Sequence, residues 1–251
     1  MANDLKRGRP GLVVLEIGGE LLYLPYQIRR LAREVDSSRL LSDFANVEQD
    51  WWIPHRFDDT GHEVLLLITT NGTLKHADGS DNHLLLPPFK PTVYLQSLPY
   101  CREILNSFGV APARARLMKL RANEFVKPHR DLHPHWNDKV RVHFPIVTNP
   151  GVLWKIWRDD ESCPPAHKTT VHMAAGEAWI FNTFYYHAVV NPSLHDRIHL
   201  VCDFEVQGKL SDLVFAGCSA ADIAAATNFS YPQYAPDSDV RRWANGASGS
   251  N

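Results

Sequence analysis

Lys127-Pro128-His129-Arg130-Asp131-Leu132-His133-Pro134-His135-Trp136 is the stretch whose reading decides the fold. His129 and Asp131 stand two apart, and Pro128 favours extended backbone, so both side chains are expected on one face. A neutral imidazole and a carboxylate on one face supply two of the three ligands of an open iron(II) site, the two-His-one-carboxylate arrangement. The third ligand is then expected from a later His on a neighbouring strand. His129-Arg130-Asp131-Leu132 also spells the start of a protein-kinase catalytic loop. That reading fails, because Trp136 stands where the metal-binding Asn belongs. No glycine-rich loop precedes the motif, no Asp-Phe-Gly follows it, and no strand carries a nucleotide-binding Lys.

On either side of this stretch the chain reads as strands. Residues 140–147 alternate, with Arg141, His143 and Pro145 on one side and Val142, Phe144 and Ile146 on the other. Residues 114–121 alternate too, placing Arg116, Met118 and Leu120 on one face. Further short strands are expected at 153–157, 170–173, 178–181 after a Gly176-Glu177 turn, and 197–206. Strands of this length and spacing predict a mainly β sandwich or jelly-roll barrel, with peripheral helices. Towards the N-terminus, residues 12–17 read as a strand. Ile28, Leu31 and Val35 have helical spacing, and Trp51-Trp52 reads as core packing rather than a ligand face. A strand is expected at 62–69, followed by a hairpin turn at Thr70-Asn71-Gly72-Thr73. Ser97 is expected to cap a helix running to Phe108, with Pro99 in its first turn and Gly109 as its stop. Residues 1–208 are assigned to this domain. Residues 209–251 form a C-terminal appendage, helical over 219–227 and rich in Pro, Ser and Gly after 231.

Composition narrows the function classes. A hydrophobic content of 44% and a charged content of 22% describe a soluble globular chain. The net charge of -2 offers no bulk attraction to nucleic acid or an acidic membrane. No apolar run reaches membrane-spanning length. Cys101, Cys163, Cys202 and Cys218 are scattered, and the first residues lack an apolar signal core, which together point to the reducing cytoplasm.

Three of the expected strands carry polar residues on faces that an ordinary core would fill with apolar ones: His129/Asp131, Arg141/His143, and Arg197/His199/Asp203. Buried arginines are costly unless each meets an anion, and a small dicarboxylate co-substrate gripped by a guanidinium fork would provide one. His187 follows Asp131 by 56 residues and Arg197 follows ten later, so His187 is assigned as the third ligand and Arg197 as the co-substrate's carboxylate anchor.

The ordered set of Pro128-His129-Arg130-Asp131, Arg141-Val142-His143, His172-Met173 before Gly176-Glu177 and Trp179, Tyr186-His187-Ala188, and Arg197-Ile198-His199-Leu200-Val201 before Asp203 resembles a known family. It is similar to the catalytic core of the aspartyl/asparaginyl β-hydroxylase family of iron(II)/2-oxoglutarate dioxygenases, nearest its L-proline cis-4-hydroxylase-like branch. The resemblance implies a double-stranded β-helix (a cupin-like jelly roll), with iron(II) held by His129, Asp131 and His187 and 2-oxoglutarate by Arg197. It places Arg141 and His143 near the co-substrate or the substrate carboxylate, and Arg116 at a position tied to the amino-acid substrate. Trp136 is a candidate wall of the substrate pocket. The implied reaction is hydroxylation of an amino acid, free or in a peptide, by dioxygen. Mammalian protein-modifying members lack an acidic ligand at the Asp131 position, so its presence favours the small-molecule branch over a protein aspartyl/asparaginyl hydroxylase. A metal-binding cupin-like sensor without turnover would not need the arginines, and a zinc hydrolase lacks a nearby Glu as general base. His133, His135 and His172 are read as surface or supporting groups, and His55, His62, His76, His83, His167 and His195 as solvated. Asp203 is read as orienting a neighbouring His or Arg.

Overall fold

The computed structural model describes residues 24, 26–55, 61–131, 133–157, 169–219 and 221. Twelve strands are assigned there: β1 Ile28–Glu34, β2 Ile53–Pro54, β3 His62–Thr70, β4 Phe89–Pro91, β5 Pro112–Leu120, β6 Glu124–His129, β7 Lys139–Val147, β8 Leu153–Trp157, β9 Thr169–Val171, β10 Glu177–Phe181, β11 Tyr186–Asn191 and β12 Arg197–Glu205. Three helices accompany them: α1 Ser37–Phe44, α2 Pro99–Asn106 and α3 Gly208–Phe215. The larger sheet runs β1-β10-β7-β12-β5-β3-β2, with β4 on the far end of β3, and the smaller runs β6-β11-β8-β9. Every pairing is antiparallel. The chain is a mainly β jelly roll.

Period-two alternation in the central strands sorts side chains between two chemically different faces. Ala115 and Leu117 of β5, Val142, Phe144 and Ile146 of β7, and Leu200, Cys202 and Phe204 of β12 join one apolar cluster. That cluster includes Leu40 of α1, Ile104 and Leu105 of α2, and Leu210 and Val214 of α3. The helices thus cover the outer face of the larger sheet. Each fully buried Leu or Phe there contributes on the order of 1.5–3 kcal/mol. The other face looks towards the smaller sheet. Its lower half is a second apolar cluster of Leu120, Trp154, Ile156, Phe181 and Val189. Its remaining positions carry the arginines, histidines and aspartates taken up below.

Several expectations change here. Ile28 and Leu31 lie on an edge strand, β1, not on a helix; Ile28 faces Phe181 and Arg30 faces Trp179 across to β10. The sheet is covered on both sides, so Ile28 packs into the inter-sheet cluster while Leu31 and Val35 pack into the helix-side cluster. Apolar residues on opposite faces of a strand then imitate a spacing of three. The turn at Asn71-Gly72 is present, with positive φ at both residues, but β3 next pairs with β4 after a long excursion, Thr70 facing Phe89. Helix α2 has Pro99 at its start and Gly109 just beyond its end, yet Ser97 does not cap it. Instead the buried Asp43 of α1 accepts from the Cys101 amide at 2.6 Å. Helix α3, which composition did not reveal, starts at Gly208 and packs beside β1, with Tyr26 donating to the Val214 carbonyl at 2.8 Å. The expected strand at 12–17, most of the helix at 219–227 and the tail from 231 lie outside the described residues. Trp51 stacks on Tyr94 and packs with Trp52 against the main core, as read from sequence. No helix among the described residues is long and apolar enough to cross a membrane.

Candidate active site

Strand β6 carries His129 at its last position, opposite His187 on β11. His187 and Val189 are two positions apart on β11, but their partners His129 and Val126 are three positions apart on β6. This irregularity re-aims His129 towards His187; their ring centroids are 4.2 Å apart. Asp131 lies beyond the strand and is fixed by its amide donating to the Thr183 carbonyl at 2.9 Å. The ligand atoms of His129, Asp131 and His187 all lie within 4.8 Å of one another, and no other such group of metal-binding side chains occurs among the described residues. Burial rises from exposed His129 through half-buried Asp131 to buried His187, so the triangle sits at an open rim.

Both imidazoles are set in one tautomer. His129 Nδ1 lies 2.8 Å from the Lys127 carbonyl and His187 Nδ1 lies 3.0 Å from the Tyr185 carbonyl. A carbonyl only accepts, so Nδ1–H donates in each case and Nε2 keeps its lone pair. Burial, with His129 alongside, pushes His187 down to about 3, so its ring is neutral and ready to ligate. Burial opposes the ionised form of Asp131, but the Arg141 guanidinium outweighs it and holds the carboxyl below its usual range. Two imidazoles and one ionised carboxylate are the donor set that an iron(II) ion with open positions requires.

Arg141 ties the ligand to the sheet. Its Nη1 donates to Asp131 at 2.6 Å, its Nε and Nη2 to Asp203 at 2.8 and 3.2 Å. Asp203 also bonds His135 Nε2 at 3.1 Å, and the Arg141 guanidinium lies 4.8 Å from the Trp136 ring centroid. Burial would raise the Asp203 carboxyl, but Arg141 and His135 hold it well below its ordinary value. Arg141, which the sequence reading placed by the co-substrate, has its charge met within the protein. Asp203 orients both an Arg and a His, and His135 is buried rather than on the surface. Asp203→Asn is expected to cost about 3–5 kcal/mol, because it removes the carboxylate that takes two of the buried Arg141 guanidinium's three hydrogen bonds. The measurement is the urea midpoint of the variant, and an unchanged midpoint would remove Asp203 from this role.

A second group of buried polar atoms has no partner among the described residues. Arg197 is 1% exposed, and its Nε and Nη1 are unbonded. Both ring nitrogens of His143 and of His199 are likewise unbonded and buried. All three face Trp154, whose ring centroid is 4.9 Å from His143, 6.2 Å from His199 and 5.7 Å from the Arg197 guanidinium carbon. Burial alone pushes Arg197 down to about 9. Buried polar atoms are nearly always satisfied, so this cluster of orphaned groups, to which Trp154 Nε1 also belongs, is a candidate ligand-binding position. Arg197 and His143 were singled out from sequence. His199 was quoted but given no role, although it stands two positions from Arg197 on the same face.

Arg114 and Arg116 of β5 lie on this inner face as well, beside Asp203 and Val201 of β12, and are 6% and 5% exposed. Sequence reasoning named Arg116 and passed over Arg114, though period two puts both on one face. Of the histidines read as solvated, His62 is buried and stacks on half-buried His55 at 4.5 Å. His76 and His83 are half-buried, His195 is exposed, and His167 lies outside the described residues. Trp136 is buried beneath the Arg141 guanidinium and edge-on to His135, a cover for the ion-pair network.

The family model for aspartyl/asparaginyl beta-hydroxylase matches residues 78–206, just over half of the 251-residue chain. L-proline cis-3-hydroxylase 1 of a Streptomyces species is 29% identical over 132 residues, which cover 50% of this chain and 41% of that protein. It is a 3-hydroxylase, where the motif resemblance pointed to a 4-hydroxylase-like branch. Among solved structures, a 2OG-Fe(II) oxygenase family oxidoreductase from Burkholderia pseudomallei aligns with a TM-score of 0.46 and 12% identity, covering 72% of this chain and 85% of that one. A Pseudomonas putida prolyl-4-hydroxylase aligns with a TM-score of 0.44 and 14% identity, covering 73% and 94%. On the extent of the family match, which spans His129, Asp131, His187, the Arg141–Asp203 pair and Arg197, this chain belongs to the aspartyl/asparaginyl beta-hydroxylase family.

Proposed function

We propose that the chain is an iron(II)/2-oxoglutarate-dependent hydroxylase acting on an amino acid, free or within a peptide. The observation that carries this reading is the His129/Asp131/His187 triangle on the same interior as a buried, unpartnered Arg197. When bound, iron and 2-oxoglutarate supply oxidative decarboxylation of the co-substrate, coupled to insertion of one oxygen atom of dioxygen into a C–H bond. The protein's own residues bind and orient. His129, Asp131 and His187 hold the metal through two Nε2 atoms and a carboxylate oxygen. Arg197 would hold the distal carboxylate of 2-oxoglutarate, with His143 and His199 as further polar partners. Arg141 is a positioning residue that fixes the Asp131 carboxylate. Trp154, Phe181 and the surrounding apolar cluster keep water from the co-substrate pocket. Arg116 is read as the partner of the substrate carboxylate, with Trp136 at the edge of that pocket. We further take residues 1–208 as the dioxygenase domain and 209–251 as an appendage, and read the scattered, free Cys101, Cys202 and Cys218 as fitting the reducing cytoplasm.

The test is an anaerobically iron-loaded assay against free amino acids and short peptides, reading succinate and a product mass gain of about 16 Da, one oxygen atom. Lysine cannot reproduce the guanidinium fork. Arg197→Lys is therefore expected to raise the apparent 2-oxoglutarate requirement at least about tenfold, equivalent to about 1.4 kcal/mol, with iron content unchanged. A 2-oxoglutarate saturation curve that does not move would take the anchor away from Arg197.

A further inference from the structure

The interior carries more positive charge than metal and co-substrate can use. Arg141 is paired with Asp131 and Asp203, a group with one net negative charge. A divalent metal and doubly ionised 2-oxoglutarate cancel each other, and the charge of Arg197 offsets that of the Arg141 group. Arg114 and Arg116 remain. Neither has a hydrogen-bond or ion-pair partner among the described residues, and both are at most 6% exposed. Burial pushes Arg114 down to about 10, with the neighbouring Arg141 adding to this and Asp203 opposing it. Burial and Arg114 together push Arg116 well below its ordinary value. A guanidinium nevertheless keeps its proton in proteins, so both are charges on the inner face, and the carboxylate across the sheet from Arg114, Asp203, is already shared by Arg141 and His135. Such an arrangement is costly unless an anion arrives.

Resting on the hydroxylase reading above, we propose that Arg114 is a specificity-determining residue that selects a substrate with two acidic groups. Arg116 takes one carboxylate and Arg114 the other. Residues two apart on a strand start about 6.5 Å from each other, a separation suited to two distinct carboxylates on one small molecule. A neutral zwitterion such as proline brings one carboxylate and leaves one of these guanidinium groups unmatched. The preferred substrate class is thus an acidic amino acid, or a peptide ending in one.

The test measures binding without turnover. Protein loaded with zinc and saturated with 2-oxoglutarate is titrated by calorimetry with L-glutamate, L-glutamine, L-aspartate, L-asparagine and L-proline. Saturation keeps the dicarboxylates out of the Arg197 pocket. One acid is expected to bind at least about tenfold more tightly than its amide and than proline, since the amide lacks the charge-assisted pair. Arg114→Gln is expected to bring the acid-to-amide ratio near unity, and Arg114→Lys to restore part of it. Arg116→Gln should weaken acid and amide alike. Equal affinity for acid and amide in the unaltered protein, binding of none of the five, or an Arg114→Gln variant that keeps the full ratio would overturn the assignment. The unaltered-protein ratio does not depend on any variant folding. The zinc-loaded protein does not turn over, so this ratio reports charge recognition separately from the iron-dependent assay that tests the reaction itself.

Discussion

Replacing His187 by alanine is expected to lower 2-oxoglutarate-coupled turnover by more than about 100-fold and to leave the jelly roll folded. Loss of a group that merely supports a ligand costs about 10–100-fold in metal affinity or activity, so loss of a ligand itself should exceed that range. His187 is the strictest of the three tests. It is buried, its Nδ1–H is committed to the Tyr185 carbonyl, and only Nε2 is left to bind metal. His129→Ala and Asp131→Ala should also abolish turnover. Asp131→Ala should in addition lower stability, because it removes one of the two carboxylates on the buried Arg141. Iron content after gel filtration, turnover and thermal midpoint separate these effects. A His187→Ala protein that keeps most of its iron and its rate would dismantle the triangle as the metal site.

The site was legible in the sequence in part because polar residues stood at positions whose neighbours demanded apolar ones. Arg141, His143 and Arg197 interrupt strands whose neighbouring residues are core, whereas His129 and Asp131 were read from their spacing after Pro128. The alternation of β5, β7 and β12 was equally legible. What escaped the reading follows from tertiary geometry. The irregular pairing of β6 with β11 re-aims His129, and nothing local to Pro128-His129 encodes it. Asp203 meets Arg141 and His135 across 62 and 68 residues of chain, so the ion-pair network exists only once β7 and β12 are paired. A strand covered on both sides loses its alternation, which is why β1 looked helical. Arg114 is different. It shares its face with Arg116 by simple period two, and the signal was present but not followed.

The metal-free protein is expected to unfold in mild acid, and its inner histidines give the reason. His143, His187 and His199 are buried, and burial lowers all three, His187 to about 3. In the unfolded chain each takes a proton near pH 6.5. Below that pH the unfolded state therefore binds protons that the folded state refuses, and stability falls as pH falls. Each group contributes up to about 1.4 kcal/mol per pH unit. At pH 5 His187 alone amounts to roughly 2 kcal/mol, and His143 and His199 add in the same direction, against the roughly 5–15 kcal/mol of a whole domain. Asp131 and Asp203 act later. Their folded values are depressed, so their contribution is complete above about pH 3.9 and is lost only as pH falls further. Acid unfolding followed by tryptophan fluorescence should accordingly have its midpoint between about pH 4.5 and 5.5, in the histidine window rather than the carboxylate one. A midpoint below about pH 4 would mean that the inner histidines are not held neutral by burial. His199→Leu should move the midpoint downward, because an isobutyl group in the same space has no proton to take. A midpoint that stays in place would show that His199 does not belong to the titrating set.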